Sequence, residues 1–404
     1  MSTLQAQVAL AQRVLALAES ETLAMTKKAR ELKAQGVQVI NLSIGEPDFK
    51  TPDHICEAAK KAIDDGFTFY PPVAGFPELR QGIAQKLKRD NGLPWEAENV
   101  VVSTGAKQSL ANVLLSLINP GDEVLILAPY WVSYRELVKL AEGTPVVLTA
   151  SLEQGFKVSP EQLEKAITPR TKAIMYSSPS NPTGAVYTEA ELRALAAVIE
   201  KHEQIYVIAD EIYEYITYRP EGYFSMGAIP AVADRVITVN GFSKGYAMTG
   251  WRLGYIGAAK WIAAACEKIQ GQVTSGTCSI AQRAAIAAIN GDLAPSHQMT
   301  KAYHQRRDLI VSLANQIPGM KTYVPEGAFY LFPDISAFFG KSNGQYHIAN
   351  ANDLCNYLID QAHVALVPGD AFGAPNHLRI SYAASEEQIR EAMQRLQQYL
   401  ALLQ

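Results

Sequence analysis

The segment GFSKGYAMTGWRLGY, residues 241–255, closes an apolar run and packs glycine, serine, lysine and arginine into one turn. A lysine just beyond the end of a buried strand, here Lys244, sits where ligands bind in open α/β sheets. A second turn, STGAKQSL at 103–110, ends a strand, allows a tight bend at Gly105 and opens a helix at Ala106. Backbone amides at such a helix start, joined by a cation and a hydroxyl such as Arg252 and Ser243, have the composition of a phosphate cradle. Asp210 ends the run IYVIAD and is followed by EIY, which places a carboxylate at a strand end with Tyr213 three residues on. Asn181 stands in the turn SNPTG, Trp131 follows another apolar run in APYWVSY, and Arg379 lies in HLRISYA. Taken singly, Asp210, Asn181, Trp131 and Arg379 have ordinary readings: a helix cap or loop acid, a turn signal, a core ring and a surface ion pair.

Residues this far apart in sequence share a site only if regular elements carry them there. Short β-branched runs alternate with helical patterns, the rhythm of an α/β domain with a largely parallel sheet. Strands are expected at Asn99–Ser103, Glu123–Leu127, Pro145–Leu148, Lys172–Tyr176, Ile205–Ala209, Arg235–Val239 and Leu253–Ile256. Most are continuous apolar runs, as a sheet covered on both faces requires. Helical periodicity marks Ala106–Leu117, Tyr134–Ala141, Ser159–Ala166 and Glu189–His202. After about residue 295 the rhythm changes to a long charged helix, a hairpin-like PEGAFYLFPDI, a helix near Asp353–Ala362, a strand pair and a terminal helix. That part reads as a smaller α+β domain, on which the first 45 or so residues could pack as an N-terminal helix and connector.

Composition narrows the function classes. The chain has 404 residues, 48 % hydrophobic, with 36 Lys+Arg against 40 Asp+Glu and a formal net charge of −4. This is ample for a large core, and a mildly acidic chain without a basic block gives no reason to expect nucleic acid. Cys56, Cys266, Cys278 and Cys355 are scattered without metal-ligand spacing, so neither a zinc site nor a disulfide framework is expected. The first 20 residues alternate polar and apolar positions like an amphipathic helix and lack a secretory signal, and no apolar stretch is long enough to span a membrane. A cytoplasmic protein is the expectation.

Gly241, Phe242, Ser243, Lys244, Ala247, Met248, Gly250, Arg252, Leu253 and Gly254 together resemble the pyridoxal-phosphate attachment signature of class I aminotransferases. The resemblance runs from NLSIGEPDF through YPPVAGFPELR, GAKQSL, APYWVSY, SNPTG and DEIY to LRISYA, and is nearest to the bacterial aspartate aminotransferase branch. It implies a fold type I enzyme that uses pyridoxal 5'-phosphate, with a mostly parallel seven-stranded sheet in a large domain at 46–295. A small domain of 1–45 plus 296–404 and a homodimer with active sites at the subunit interface are also implied. In its terms Lys244 carries the cofactor and shuttles a proton, and Asp210 faces the pyridine nitrogen. Asn181 and Tyr213 bond the phenolic oxygen, Trp131 stacks on the ring, and Gly105, Ala106, Lys107, Ser243 and Arg252 surround the phosphate. Tyr70 resembles the tyrosine that reaches the phosphate from the neighbouring subunit. Gly45, Trp131, Asn181 and Arg379 meet the substrate, Arg379 by its α-carboxylate.

Substrate choice is the open part. The better-known aspartate aminotransferases receive the distal carboxylate with an arginine from the partner subunit, yet Ile269 to Gln282 contains none. Lys107 is the candidate replacement, as a point charge. Ping-pong transfer from L-aspartate to 2-oxoglutarate is therefore expected, with an aromatic, prephenate or broad-range aminotransferase as the alternative. Prephenate users of this branch carry a lysine near the position of Ala18, which this chain lacks. A lyase on the same fold, or a ligand-sensing regulator, stands further off; the regulator needs a helix-turn-helix region, and only about 40 residues that are not strongly basic precede NLSIGEPDF.

Overall fold

The computed structural model describes residues 10–18 and 21–404, with the side chains of 21–23 excepted. Of the amphipathic helix expected over the first 20 residues, 1–9 and 19–20 lie outside this description. In the remainder Gln12–Leu15 is helical.

The strands are β1 (Ile40–Asn41), β2 (Val100–Ser103), β3 (Glu123–Ala128), β4 (Thr144–Thr149), β5 (Thr171–Ser177), β6 (Tyr206–Asp210), β7 (Val236–Gly241) and β8 (Gly254–Gly257). The last seven form one sheet in the order β2-β8-β7-β6-β5-β3-β4. All seven coincide with the expected runs to within a residue or two. Strands β3 to β7 pair in parallel, whereas β8 runs antiparallel to both β7 and β2. Hence β2 to β7 all point the same way, and their carboxyl ends share one edge with the amino end of β8.

Alternation of side chains explains why the runs are continuously apolar. Val124 and Ile126 face one core with the helices Ala106–Leu117 and Lys260–Val273; Leu125 and Leu127 face another with Pro160–Ala166 and Glu189–Glu200. Helix starts follow local chemistry too. Ser159, Thr188 and Ser385 each accept from the third helical amide and receive a Gln or Glu in return, which satisfies two orphan donors per helix.

The C-terminal part carries a three-stranded antiparallel sheet with Leu378–Ser381 in the middle, Val367–Pro368 on one side and Tyr330–Leu331 on the other. This corrects the hairpin expected at PEGAFYLFPDI: Tyr330–Leu331 pairs with a strand almost fifty residues away, since its apolar residues serve a shared core rather than a local turn. The strand pair expected before the terminal helix is Val367–Pro368 with Leu378–Ser381, and a further short strand, Val364–Ala365, pairs in parallel with β1. One core joins these strands to Met25 and Ala29 of the helix Glu21–Ala34 and to the helices Ala294–Ala314 and Glu386–Leu400. By contrast, the segment around Gln12–Leu15 lies on the helix Ser133–Leu140: Glu136 accepts from the Ala18 amide at 2.8 Å and Lys139 donates to the Ala16 carbonyl at 3.1 Å.

Candidate active site

The shared edge of the sheet opens into a cavity of about 450 Å³. Five strands deliver side chains to it within a few residues of their carboxyl ends: Ala106 and Lys107 after β2, Trp131 after β3, Asn181 after β5, Asp210 at the end of β6, and Ser243 and Lys244 after β7. Arg252 enters from the amino end of β8, which the reversed strand brings to the same edge. Gly45, Tyr213 and Arg379 line the cavity as well.

Two glycines make the helix start at Ala106 accessible. Gly105 holds φ +84°, and a Cβ there would lie 2.5 Å from Arg252 Nη2, so the guanidinium rests on the bare backbone. Gly254 abuts the Ala106 backbone, where any Cβ would collide with the peptide. No side chain caps this helix, so its first amides remain open to an anion beside Arg252 and Ser243.

Lys244 Nζ donates to the Gly45 carbonyl. Burial, together with the Arg379 and Arg252 charges, lowers its pKa to about 8, while Glu46 and Asp210 pull the other way. Asp210 is buried; Tyr134 donates its hydroxyl to Oδ2 at 2.6 Å and the Ile212 amide donates to Oδ1 at 3.2 Å. Burial outweighs these bonds and raises its pKa to about 6.

Arg379 is 2 % exposed in the middle strand of the C-terminal sheet. It donates from Nη1 to Asn181 Oδ1 at 2.9 Å and from Nη2 to the Ser43 carbonyl at 2.6 Å, while Nε is buried without a partner. Lys107 Nζ stands 4.8 Å from the centroid of the Trp131 ring, and burial followed by the Arg252 charge lowers its pKa.

The residues named from sequence thus converge, with two exceptions, of which Gly105 lies against Arg252 just outside the cavity lining. Tyr70 is 96 % exposed and outside the cavity lining. Two contributors were missed. Tyr134 lies inside the quoted PYWVSY, where its place in the first helical turn after Trp131 was the available signal. Tyr330 sits in the segment read as a hairpin, and its hydroxyl lies 2.7 Å from that of Tyr213.

Comparison with known proteins agrees with this geometry. The family model for class I and II aminotransferases matches residues 37–396. An aspartate/prephenate aminotransferase of Cereibacter sphaeroides is 48 % identical over 384 residues, covering 95 % of this chain and 96 % of its own. A crystal structure of an aspartate aminotransferase from Rhizobium meliloti superposes with a TM-score of 0.94 at 42 % identity, covering 98 % of this chain and 99 % of its own. The Thermus thermophilus aspartate aminotransferase with maleate gives 0.91 at 41 %, with 97 % and 99 % covered. Sheet order, the lysine after β7 and full-length relatives point the same way: the chain belongs to the class I and II aminotransferase family.

Proposed function

We propose that the protein transfers the amino group of L-aspartate to 2-oxoglutarate in two half-reactions, with pyridoxal 5'-phosphate held in the cavity. The observation that carries the acidic substrate is the pair of cations lining that cavity, Arg379 and Lys107, with Lys244 also in its wall. Maleate, named with the Thermus thermophilus relative, is itself a dicarboxylate.

The residues present fit the cofactor. The open helix start at Ala106, Arg252 and Ser243 suit a phosphate. Asp210 is a buried carboxylate at the cavity wall, suited to a cationic ring nitrogen, and Trp131 offers a flat face. Asn181 and Tyr213 supply polar groups for the phenolic oxygen. When bound, the cofactor supplies an electron sink for the charge left at the substrate Cα. The chain does the rest. Arg379 takes the α-carboxylate, which satisfies its unpartnered Nε–H and fixes the direction of the Cα–H bond. Lys244, with its pKa near 8, has a neutral fraction at neutral pH and moves the proton from Cα. Lys107 receives the distal carboxylate, and its partial burial strengthens that attraction.

The same reading includes a large domain at 46–295 and a small one of 1–45 with 296–404; the core that the helix Glu21–Ala34 shares with Leu378–Ser381 supports it, whereas the segment around Gln12–Leu15 reaches over to the large domain's helix Ser133–Leu140. It also includes a homodimer, in which the exposed Phe69 and Tyr70 are covered and Tyr70 of the partner subunit reaches the phosphate. A cytoplasmic location is part of it; among the described residues no helix is long and apolar enough to cross a membrane.

The test is a half-reaction followed by the absorbance of the bound cofactor, with L-aspartate, L-glutamate, L-tyrosine, L-phenylalanine and L-alanine offered separately. Aspartate and glutamate should convert it fastest. Lys107→Met should weaken aspartate about 10- to 100-fold, the worth of one charge-assisted hydrogen bond, and leave alanine nearly unchanged. Conversion by aromatic or neutral amino acids alone would remove both the aspartate reading and the role of Lys107.

Tyr134 supplies a further check. Its hydroxyl stabilises the charged form of Asp210, so Tyr134→Phe should raise the Asp210 pKa. The acid limb of the kcat/KM profile then moves up by about one pH unit, equivalent to about 1.4 kcal/mol. An unmoved limb would show that Asp210 does not govern it.

A further inference from the structure

Asp210, Ile212 and Tyr213 line the cavity, whereas Glu211 and Glu214 do not. Glu211 and Glu214 are 0 % and 6 % exposed. Behind the cavity they meet the helix Pro77–Asn91, which contributes Lys86, 1 % exposed, and Asn91, 6 % exposed. Lys86 Nζ donates to Glu214 Oε1 and, at 2.7 Å, to Asn91 Oδ1. Asn91 Nδ2 in turn donates to Glu214 Oε2 at 2.7 Å and to Glu211 Oε2 at 3.2 Å, and Ser225 Oγ donates to Glu211 Oε1 at 2.5 Å.

Two buried carboxylates therefore share one amide and one contacting cation, and that cation is bonded to Glu214. An unpaired second charge in this setting is costly, and a proton on Glu211 removes it. We infer that Glu211 is protonated at neutral pH and, with Asn91, Glu214 and Lys86, forms a rear brace that positions Asp210 and Tyr213 for amino transfer. The positioning half rests on the proposed function; the protonation half does not.

Most of the other titratable groups around Glu211 agree with this. The Tyr176, Tyr223 and Tyr255 hydroxyls are buried and made harder to ionise by Glu211, and Tyr223 is near enough to donate to it, the one of the three that opposes its protonation. Asp90 lies 4.0 Å from Lys86 on the outer side, where Arg89 and the Tyr215 hydroxyl already hold it. Burial, reinforced by Glu214 and opposed by Ser225, Lys86 and Tyr223, raises the Glu211 pKa to about 8. A carboxyl raised in the folded state favours folding below its ordinary value near 4.5 and loses that contribution as pH rises through about 8.

The experiment compares Glu211→Gln and Glu211→Leu with the wild-type holoenzyme. Glu211→Gln keeps a neutral hydrogen-bonding side chain. It should remove an infrared carbonyl band of a protonated carboxylic acid and flatten the decline in Tm between about pH 5 and 8. It should also retain most of kcat. Glu211→Leu deletes the bonds and should lower kcat about 10-fold through misplacement of Asp210 and Tyr213. KM for the amino acid should change little, because Arg379 stands on a different sheet. A wild-type spectrum without that band, or a band that survives in Glu211→Gln, overturns the protonation. Equal loss of kcat in both variants, or none in Glu211→Leu, overturns the brace. If Glu211→Leu does not fold, the infrared band and the Tm slope of Glu211→Gln still decide the protonation, and its kcat decides whether a neutral amide serves the brace. If the wild type shows no amino transfer, the function reading fails while the infrared and thermal results still stand or fall by themselves.

Discussion

Replacing Lys244 by alanine should abolish amino transfer and leave a folded protein that still takes up pyridoxal 5'-phosphate. Lys244 is the amine in the cavity wall with its pKa brought down to about 8, the range in which one group can both take and return a proton near neutral pH. Loss of such a group costs on the order of 10²–10⁴ in rate from proton transfer alone, and, on the proposed function, loss of the cofactor's attachment point comes on top. Folding should survive, because the removed charge sits in the field of Arg379 and Arg252 and its one hydrogen bond goes to the Gly45 carbonyl. Single-turnover absorbance with L-aspartate measures the chemistry, and dialysis, which releases a cofactor that is no longer covalently held, measures the attachment. Appreciable turnover by Lys244→Ala would sink the assignment.

Asp210→Asn separates catalysis from stability. The asparagine occupies the same space at the end of β6 but brings no negative charge to the cavity. The expected loss in kcat is about 10²–10³-fold, the usual effect of removing one preorganised electrostatic partner. KM for the amino acid should change less, since Arg379 and Lys107 are untouched. Stability of the cofactor-free protein should move the opposite way. Burial raises the Asp210 pKa from an ordinary 3.8 to about 6, so its favourable contribution is complete below 3.8 and lost as pH rises through about 6. Above that pH the charged carboxylate costs up to roughly 3 kcal/mol, and the asparagine variant should melt at a higher temperature. Thermal melts of the cofactor-free proteins at pH 5 and 8, beside kcat of the loaded ones, make the comparison. A variant that loses activity and melts lower at pH 8 would mean that Asp210 is chiefly structural.

Much of this molecule can be read locally. The strands β2 to β8 are apolar runs bounded by turn residues, and the helices at Pro160, Glu189 and Glu386 announce themselves by capping boxes. The attachment segment after β7 is contiguous, so Ser243, Lys244 and Arg252 are found together. These features depend on residues a few positions apart, where backbone geometry and solvation act directly.

Three features depend on pairing across the chain. Tyr330–Leu331 joins Leu378–Ser381 because both complete one core with the helix Glu21–Ala34, and no periodicity within PEGAFYLFPDI encodes that partner. Tyr134 reaches Asp210 across 76 positions because β3 and β6 end at the same edge of the sheet. Behind that edge, Lys86 and Asn91 meet Glu214 and Glu211 because the helix Pro77–Asn91 packs at the back of the segment that follows β6. The sequence by itself determined which elements form and which residues stand at their ends, since propensity, capping and hydrophobic period are short-range. Only the tertiary structure decided strand order, the reversal of β8 that brings Arg252 to the cavity edge, and the burial that raises the pKa of Asp210 and Glu211. Each of these is set by which distant groups exclude water from one another.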